Sequence, residues 1–292
     1  MKSIVTIATL AFISFGTINT FAGEKVIYGK DDRKDLYEIT NPMYLKLASS
    51  TVVLVKTADV TQTSSGVMKI AAQSFQDTMG VCKKERFSDQ PSGGFCSGSL
   101  IGKNLILTAG HCITSTSDCQ STKFVFGYDV TKKGKYPSEV AEQEVVGCKN
   151  IVYRIQEDSG ADFGIIELDR NITNHEPLKL ANRTTAKELA KGDQLLMIGH
   201  PAGLPTKIDD GAKVRDPSPS GFLVANTDSY GGNSGSAVFN LKTGEIEGVL
   251  VRGEQDYVYQ NGCYVSNVCP EDGCRGEDIT KVSSVLAQVP HN

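Results

Sequence analysis

The chain has 292 residues, 39% of them hydrophobic, with 30 basic against 34 acidic side chains and a formal net charge of −4. The two signs are interspersed without long blocks, which argues against nucleic acid as a partner, because phosphate binding needs a concentrated basic surface. The length exceeds what one small core needs, so one large or two modest domains are expected.

The chain begins MKSIVTIATLAFISFGTINTFAG: one early lysine, an apolar run from Ile4 to about Phe15, then small residues at Thr20 and Ala22. This pattern reads as a secretory signal over residues 1–22, cut after Ala22. A membrane anchor is the alternative, but the apolar run is shorter than the roughly 20 residues a spanning helix needs. No later segment is long enough either, so the mature protein is expected outside the cytoplasm, in a periplasm or the extracellular medium, and off the membrane. All eight cysteines lie after the signal (Cys82, Cys96, Cys112, Cys119, Cys148, Cys263, Cys269 and Cys274). An even number in an exported chain reads as disulfides. Zinc ligation by Cys263, Cys269 and Cys274 is disfavoured, since the spacing is irregular, no CxxC occurs and no histidine lies among them. Nothing in the sequence calls for a metal or an organic cofactor.

Short β-rich runs then dominate: TVVLVKT, GSLIGKNLILTAG, TKFVFGY, DFGIIEL, DQLLMIG, SGFLVAN, SAVFN and EIEGVLV, separated by Gly, Pro, Asn, Asp and Ser. Strands of this length between turn residues predict an all-β, antiparallel architecture and not a parallel α/β sheet. Two stretches read as helical: SGVMKIAAQSFQDTMG, and DITKVSSVLAQV near the C-terminus, where Ile279, Val282, Val285, Leu286 and Val289 fall close to helical spacing. The polar stretch NITNHEPLKLANRT is the best internal boundary and divides the strands into two all-β halves.

Three short blocks carry residues suited to chemistry. LILTAGHCIT places His111 just past a strand, where Cys96 and Cys112 can close a loop around it; a satisfied structural histidine is the plainer reading. GADFGIIELDR places Asp162 at the start of another strand, where a turn-capping role is equally ordinary. GGNSGSAV places Ser234 between glycines, on a bare turn that suits a nucleophile or a simple hairpin.

Taken in order, GFCSGSLIGKNLILTAGHC, DFGIIEL and GGNSGSAVF resemble the His, Asp and Ser blocks of the chymotrypsin/trypsin-like serine endopeptidases. VIYGKDDRKDLYEITN and MIGHPAGLP are similar to the mature N-terminus and a later loop of that family's bacterial, V8-like glutamyl-endopeptidase branch. The resemblance implies two antiparallel six-stranded β-barrels followed by a C-terminal helix. Residues 23–43 would form an N-terminal segment or short propeptide, 44–175 the first barrel, and 176–292 the second barrel with the helix. It further implies a catalytic triad of His111, Asp162 and Ser234, an oxyanion hole made by the backbone N–H groups of Gly232 and Ser234, and a disulfide between Cys96 and Cys112. The other six cysteines stay unassigned, since six allow 15 connectivities.

By the same resemblance, Asp228 and Ser229 stand at the offset of the primary pocket base, and Gly253 on the pocket wall. Leu250 takes the place where glutamyl-specific members carry a histidine. An acidic pocket base implies cutting after Lys or Arg; a protease-like binding protein and glutamyl specificity are the alternatives. An esterase would more naturally use GxSxG on a strand–helix elbow, which GNSGS does not match. The partner expected is a protein or peptide substrate met by a monomeric enzyme. GEKVIYG allows a mature chain beginning at Gly23 or, after a second cut behind Lys25, at Val26.

Overall fold

The computed structural model describes residues 26–182 and 188–290. The proposed signal, Gly23 and Lys25 lie outside the described residues. In the first half, six strands close into a barrel: β1 (Thr51–Lys56), β2 (Cys96–Gly102), β3 (Leu105–Thr108), β4 (Thr122–Val125), β5 (Val145–Gln156) and β6 (Asp162–Leu168), hydrogen-bonded in the order β5-β6-β3-β2-β1-β4 and back to β5. Every pairing in it is antiparallel. The TVVLV of β1 is buried on both faces, one side filling the barrel and the other covered by a satellite cluster around Tyr128. Such β-branched runs suit a pleated surface packed on both sides.

The second half is a curled seven-stranded sheet: β7 (Leu195–Gly199), β8 (Lys207–Asp209), β9 (Val214–Asp216), β10 (Phe222–Ala225), β11 (Ala237–Asn240), β12 (Ile246–Arg252) and β13 (Glu277–Lys281), in the order β8-β7-β11-β12-β13-β10-β9. It is a half-barrel where a second closed six-stranded barrel was expected. The cause lies at its ends. The outer edge of β8 is taken by the N-terminal segment, with Lys34 and Ile208 exchanging backbone hydrogen bonds of 2.8 and 3.0 Å. On the other side, β9 meets the start of β7 only by one isolated bridge, Gln194 to Lys213, and not by the ladder that would close a barrel.

Alternation along β7 explains how the halves join. Leu195 and Met197 point into the core of the second sheet with Val238, Leu250 and Ile279, whereas Leu196 and Ile198 join the core shared with the first barrel. With a period of two, neighbouring residues supply two cores at once. Each side chain fully buried in this way contributes about 1.5–3 kcal/mol of transfer free energy.

The helical expectations are corrected in part. SGVMKIAAQSFQDTMG begins as a strand, Val67–Ile70, and only Phe75–Met79 is helical, started by Ser74 accepting from Asp77 N and ended by Gly80 in the left-handed region. In DITKVSSVLAQV the first residues extend β13 and the C-terminal helix is Val282–Leu286. A helix the sequence reading missed, Pro42–Ser49, starts at Asn41, whose side chain accepts from Met43 N, with Pro42 in the first turn where its missing N–H costs nothing.

Four disulfides join all eight cysteines: Cys82–Cys263, Cys96–Cys112, Cys119–Cys148 and Cys269–Cys274. Bridges of this density accord with an oxidising, extracytoplasmic compartment. No helix among the described residues is long and apolar enough to cross a membrane.

Candidate active site

His111 follows β3 by a turn that only glycine permits. A Cβ on Gly110 would lie 2.0 Å from the Ile155 carbonyl oxygen and 2.9 Å from Asp162 Oδ1, so the bare residue lets the histidine close on β6. Asp162, the first residue of β6, then holds His111 at two points. Its Oδ1 accepts from the His111 backbone N at 3.1 Å and its Oδ2 meets ring Nδ1 at 2.7 Å. A proton on Nδ1 in that contact leaves Nε2 as the acceptor, the tautomer a general base requires. Asp162 is buried, and its backbone is tied to the second half through Thr280, whose hydroxyl accepts from Asp162 N and donates to Asp162 O, both at 3.0 Å.

The other histidines are committed elsewhere. His175 Nε2 pairs with Glu144 at 2.6 Å and its ring stacks on Phe126. His200 is buried, meets the Leu204 carbonyl through Nδ1, and is driven by burial to a pKa of about 3, so it stays neutral. His291 lies outside the described residues.

The Ser234 turn is docked onto the strand that begins the His block. Ser97, on β2, donates its backbone N–H to Ser234 O at 2.8 Å and its hydroxyl to Gly232 O at 2.8 Å. Gly235, with φ of +90°, has room for no side chain: a Cβ would sit 2.0 Å from Ser97 O. Gly232 is likewise left-handed, with φ of +91°. Gly231 O accepts from Ala202 N at 2.5 Å, and Asn233 O accepts from Ser236 N at 2.8 Å. Because N–H and C=O point oppositely across a trans peptide, fixing these two carbonyls also fixes the Gly232 and Ser234 N–H groups. Ser236, the rival hydroxyl, is fully buried and bonds to Asn233 Oδ1 at 3.1 Å.

The disulfide Cys96–Cys112 brackets the site. Those two sulfurs cluster with His111 in the manner of metal ligands, but bonded to each other they are not thiolates.

The pocket residues do not all converge. Asp228 is buried and both its oxygens accept from the N-terminal segment, Oδ1 from Tyr28 N at 2.7 Å and Oδ2 from Asp32 N at 2.8 Å. Its own backbone N donates to Asp209 Oδ2 at 2.9 Å. Burial foremost, and then the neighbouring Asp209, raise its pKa well above the ordinary carboxylate range. Ser229 faces elsewhere: its hydroxyl donates to Glu277 Oε2 at 3.2 Å. A Cβ on Gly253 would lie 1.8 Å from that same oxygen. Arg252 does not reach Asp228; it pairs with Asp278 at 3.2 Å and donates to the Glu157 and Gly160 carbonyls. Leu250 belongs to the inner core of the second sheet.

Sequence reading missed Ser97, Thr280 and Glu277. Ser97 stands inside the quoted His block and was within reach as its docking residue. Thr280 and Glu277 lie on β13, where no local motif marks them.

Comparison with known proteins bears on the fold and the family. Among solved structures, the chain is similar to the VesB protease of Vibrio cholerae, with 17% identity and a TM-score of 0.50, covering 90% of this chain and 66% of that one. It is also similar to a Glu endopeptidase in complex with MPD, with 17% identity and a TM-score of 0.51, covering 90% and 96%. These likenesses show the fold. No curated protein matches. The profile of the trypsin-like peptidase domain matches residues 96–249, a little over half the chain, from the first cysteine of the His block into β12. The chain therefore belongs to the trypsin-like peptidase domain family, and it is a peptidase.

Proposed function

We propose that the protein is an exported serine endopeptidase working through His111, Asp162 and Ser234. His111 takes the proton of the Ser234 hydroxyl as it attacks a substrate carbonyl, and Asp162 stabilises the imidazolium that forms. The backbone N–H groups of Gly232 and Ser234 receive the developing oxyanion, an interaction whose loss typically costs ~100- to 1000-fold in rate. His111 then returns the proton to the leaving amine, giving an acyl-enzyme that water hydrolyses. The observation that carries this reading is the two-point hold of Asp162 on His111, 3.1 Å to the backbone and 2.7 Å to the ring.

Cleavage after Lys or Arg is the specificity we propose, supported by Asp228 at the offset of the pocket base and by Glu277, which accepts from the Ser229 hydroxyl and lies against Gly253. Glutamyl specificity, the alternative, finds no support at Leu250, an apolar side chain buried in the sheet core. Replacing Ser234 with alanine is expected to leave a folded protein without fluorophosphonate labelling or casein hydrolysis, while Ser236→Ala retains both. A dead Ser236→Ala beside an active Ser234→Ala refutes the assignment.

A further inference from the structure

We infer that the groove beside Phe95 receives the stretch of substrate that follows the cut bond and selects an acidic side chain in it; this rests on the reading of His111 and Ser234 above and not on the residue before the cut. The groove, of about 640 Å³, is lined by Lys56, Asp59, Lys69, Gln73 and the stretch Ser92–Phe95, among others. Most of its lining comes from the connection between β1 and β2, which carries its own hairpin, Val60–Ser64 with Val67–Ile70, and the helix Phe75–Met79. Two links tie it to the proposed triad. Phe95 precedes Cys96, which is bonded to Cys112, the residue after His111. Ser92 donates its hydroxyl to Ala202 O at 2.5 Å and Gly93 its N–H to Gly203 O at 2.9 Å, while Ala202 N donates to Gly231 O at 2.5 Å, in the turn that carries Ser234.

The direction follows from the chemistry. His111 returns its proton to the leaving amine, so the chain behind that amine departs past the His block, whereas the acyl half stays on Ser234. Charge then decides what the groove takes. Lys56 and Lys69 are exposed, and neither lies within ion-pair distance of a carboxylate among the described residues. Lys56 Nζ sits 4.2 Å over the Phe95 ring, which keeps its charge beside the His block. Glu139 stands opposite Lys69 in the sheet, but it accepts from the Thr63 hydroxyl at 3.1 Å and is not part of the lining. Two ammonium groups against Asp59 leave the groove positive on a chain whose formal net charge is −4. An acidic side chain is attracted there and a basic one repelled.

The test uses the full chain matured as it is secreted and peptides that share the acyl half of a bond it cuts in casein, with one Glu, Ala or Lys at the second, third or fourth residue after that bond. At low salt the best-placed Glu peptide is expected to exceed its Lys counterpart in kcat/KM by at least ~5-fold, as for two surface charge pairs. The ratio should fall towards one in about 0.5 M salt, where such pairs are screened. Lys56→Gln/Lys69→Gln is expected to abolish the preference and Lys69→Glu to turn it towards the Lys peptide; ratios taken within one enzyme cancel any general change in activity. A wild-type Glu:Lys ratio of one at all three positions, or a ratio that survives the double replacement, overturns the inference. Fluorophosphonate labelling and hydrolysis of the p-nitroanilide of the same acyl half, which has no chain after the cut bond, report on Ser234 separately. A wild-type chain that does neither removes the triad reading and this inference with it, whereas one that does both yet ignores the charge after the cut overturns the inference alone.

Discussion

Thr280 shows how a residue outside every motif can bear on the proposed triad. Its hydroxyl binds both the N–H and the C=O of Asp162, and so holds the orienting carboxylate from the opposite half of the molecule. Thr280→Val keeps the shape and removes both bonds. We expect kcat to fall about tenfold, a barrier increase of ~1.4 kcal/mol, with KM unchanged and recovery in Thr280→Ser. A change in KM alone would contradict a positioning role. The same residue marks the limit of what the sequence reveals. His111 and Ser234 could be picked out because their glycines are sterically obligatory, and such requirements leave short, dense motifs. Thr280 and Glu277 reach the site only through the pairing of β13 with β12 and β10, a relation between distant segments that no local pattern records.

Among elements, the N-terminal segment makes the longest-range contacts. Residues 23–43 read as an N-terminal segment or short propeptide, and from Val26 to Lys34 the segment packs on the second half. Ile27 and Tyr28 pair with Val268 and Cys269, Lys34 edges β8, and Asp228 binds the amides of Tyr28 and Asp32. Asp228 and Asp209 lie together beneath it, both buried and both with raised pKa values, burial being the main cause in each and proximity of another carboxylate a further one. The sign follows from linkage. A carboxyl whose folded pKa is raised keeps its proton longer in the native state than in the unfolded chain, so its stabilisation is complete below about pH 4 and is lost as pH rises through the folded pKa, about 8 for Asp228. Urea unfolding should therefore show this contribution declining between about pH 4 and 8, with a flatter profile in Asp209→Asn. An identical slope in the two proteins would refute the assignment. Strands were legible where β-branched residues ran between turns, as in β1 and β6. Helix bounds were less so: a C-terminal helix forms within DITKVSSVLAQV, but the ladder draws Glu277–Lys281 into the sheet and leaves only Val282–Leu286 helical.

The molecule as a whole is two β units sharing one apolar core and laced by distant bonds. A mostly β molecule was readable from the strands and turn residues, but the open second sheet was not, since it depends on which segment occupies the β8 edge. Cys82–Cys263 spans 181 residues and ties a loop before β2 to the hairpin Tyr257–Gln260/Cys263–Ser266. A cross-link closing so long a loop restricts the unfolded ensemble strongly, and removing it as Cys82→Ser/Cys263→Ser is expected to cost about 2–5 kcal/mol in denaturant titration. Labelling of Ser234 should persist at low denaturant, because neither cysteine belongs to the proposed triad. A stability change below about 0.5 kcal/mol would show that the loop is held by its other contacts.

The N-terminal segment also sets a clock. Tyr28 finds Asp228 and Glu277 across 200 and 249 residues of chain. The portion made earlier must therefore wait for a portion made much later. Contacts of such sequence separation form late and slow the approach to the native state. Pulsed hydrogen exchange during refolding should find the amides of β1 and β6 protected early, and those of Tyr28, Asp32 and Lys34 protected only in the final phase. Until then the β8 edge stands open, and the half-made sheet offers an unpaired strand to any neighbouring chain. Dilution, or a saturating peptide spanning residues 26–35, should accordingly raise the yield of active enzyme.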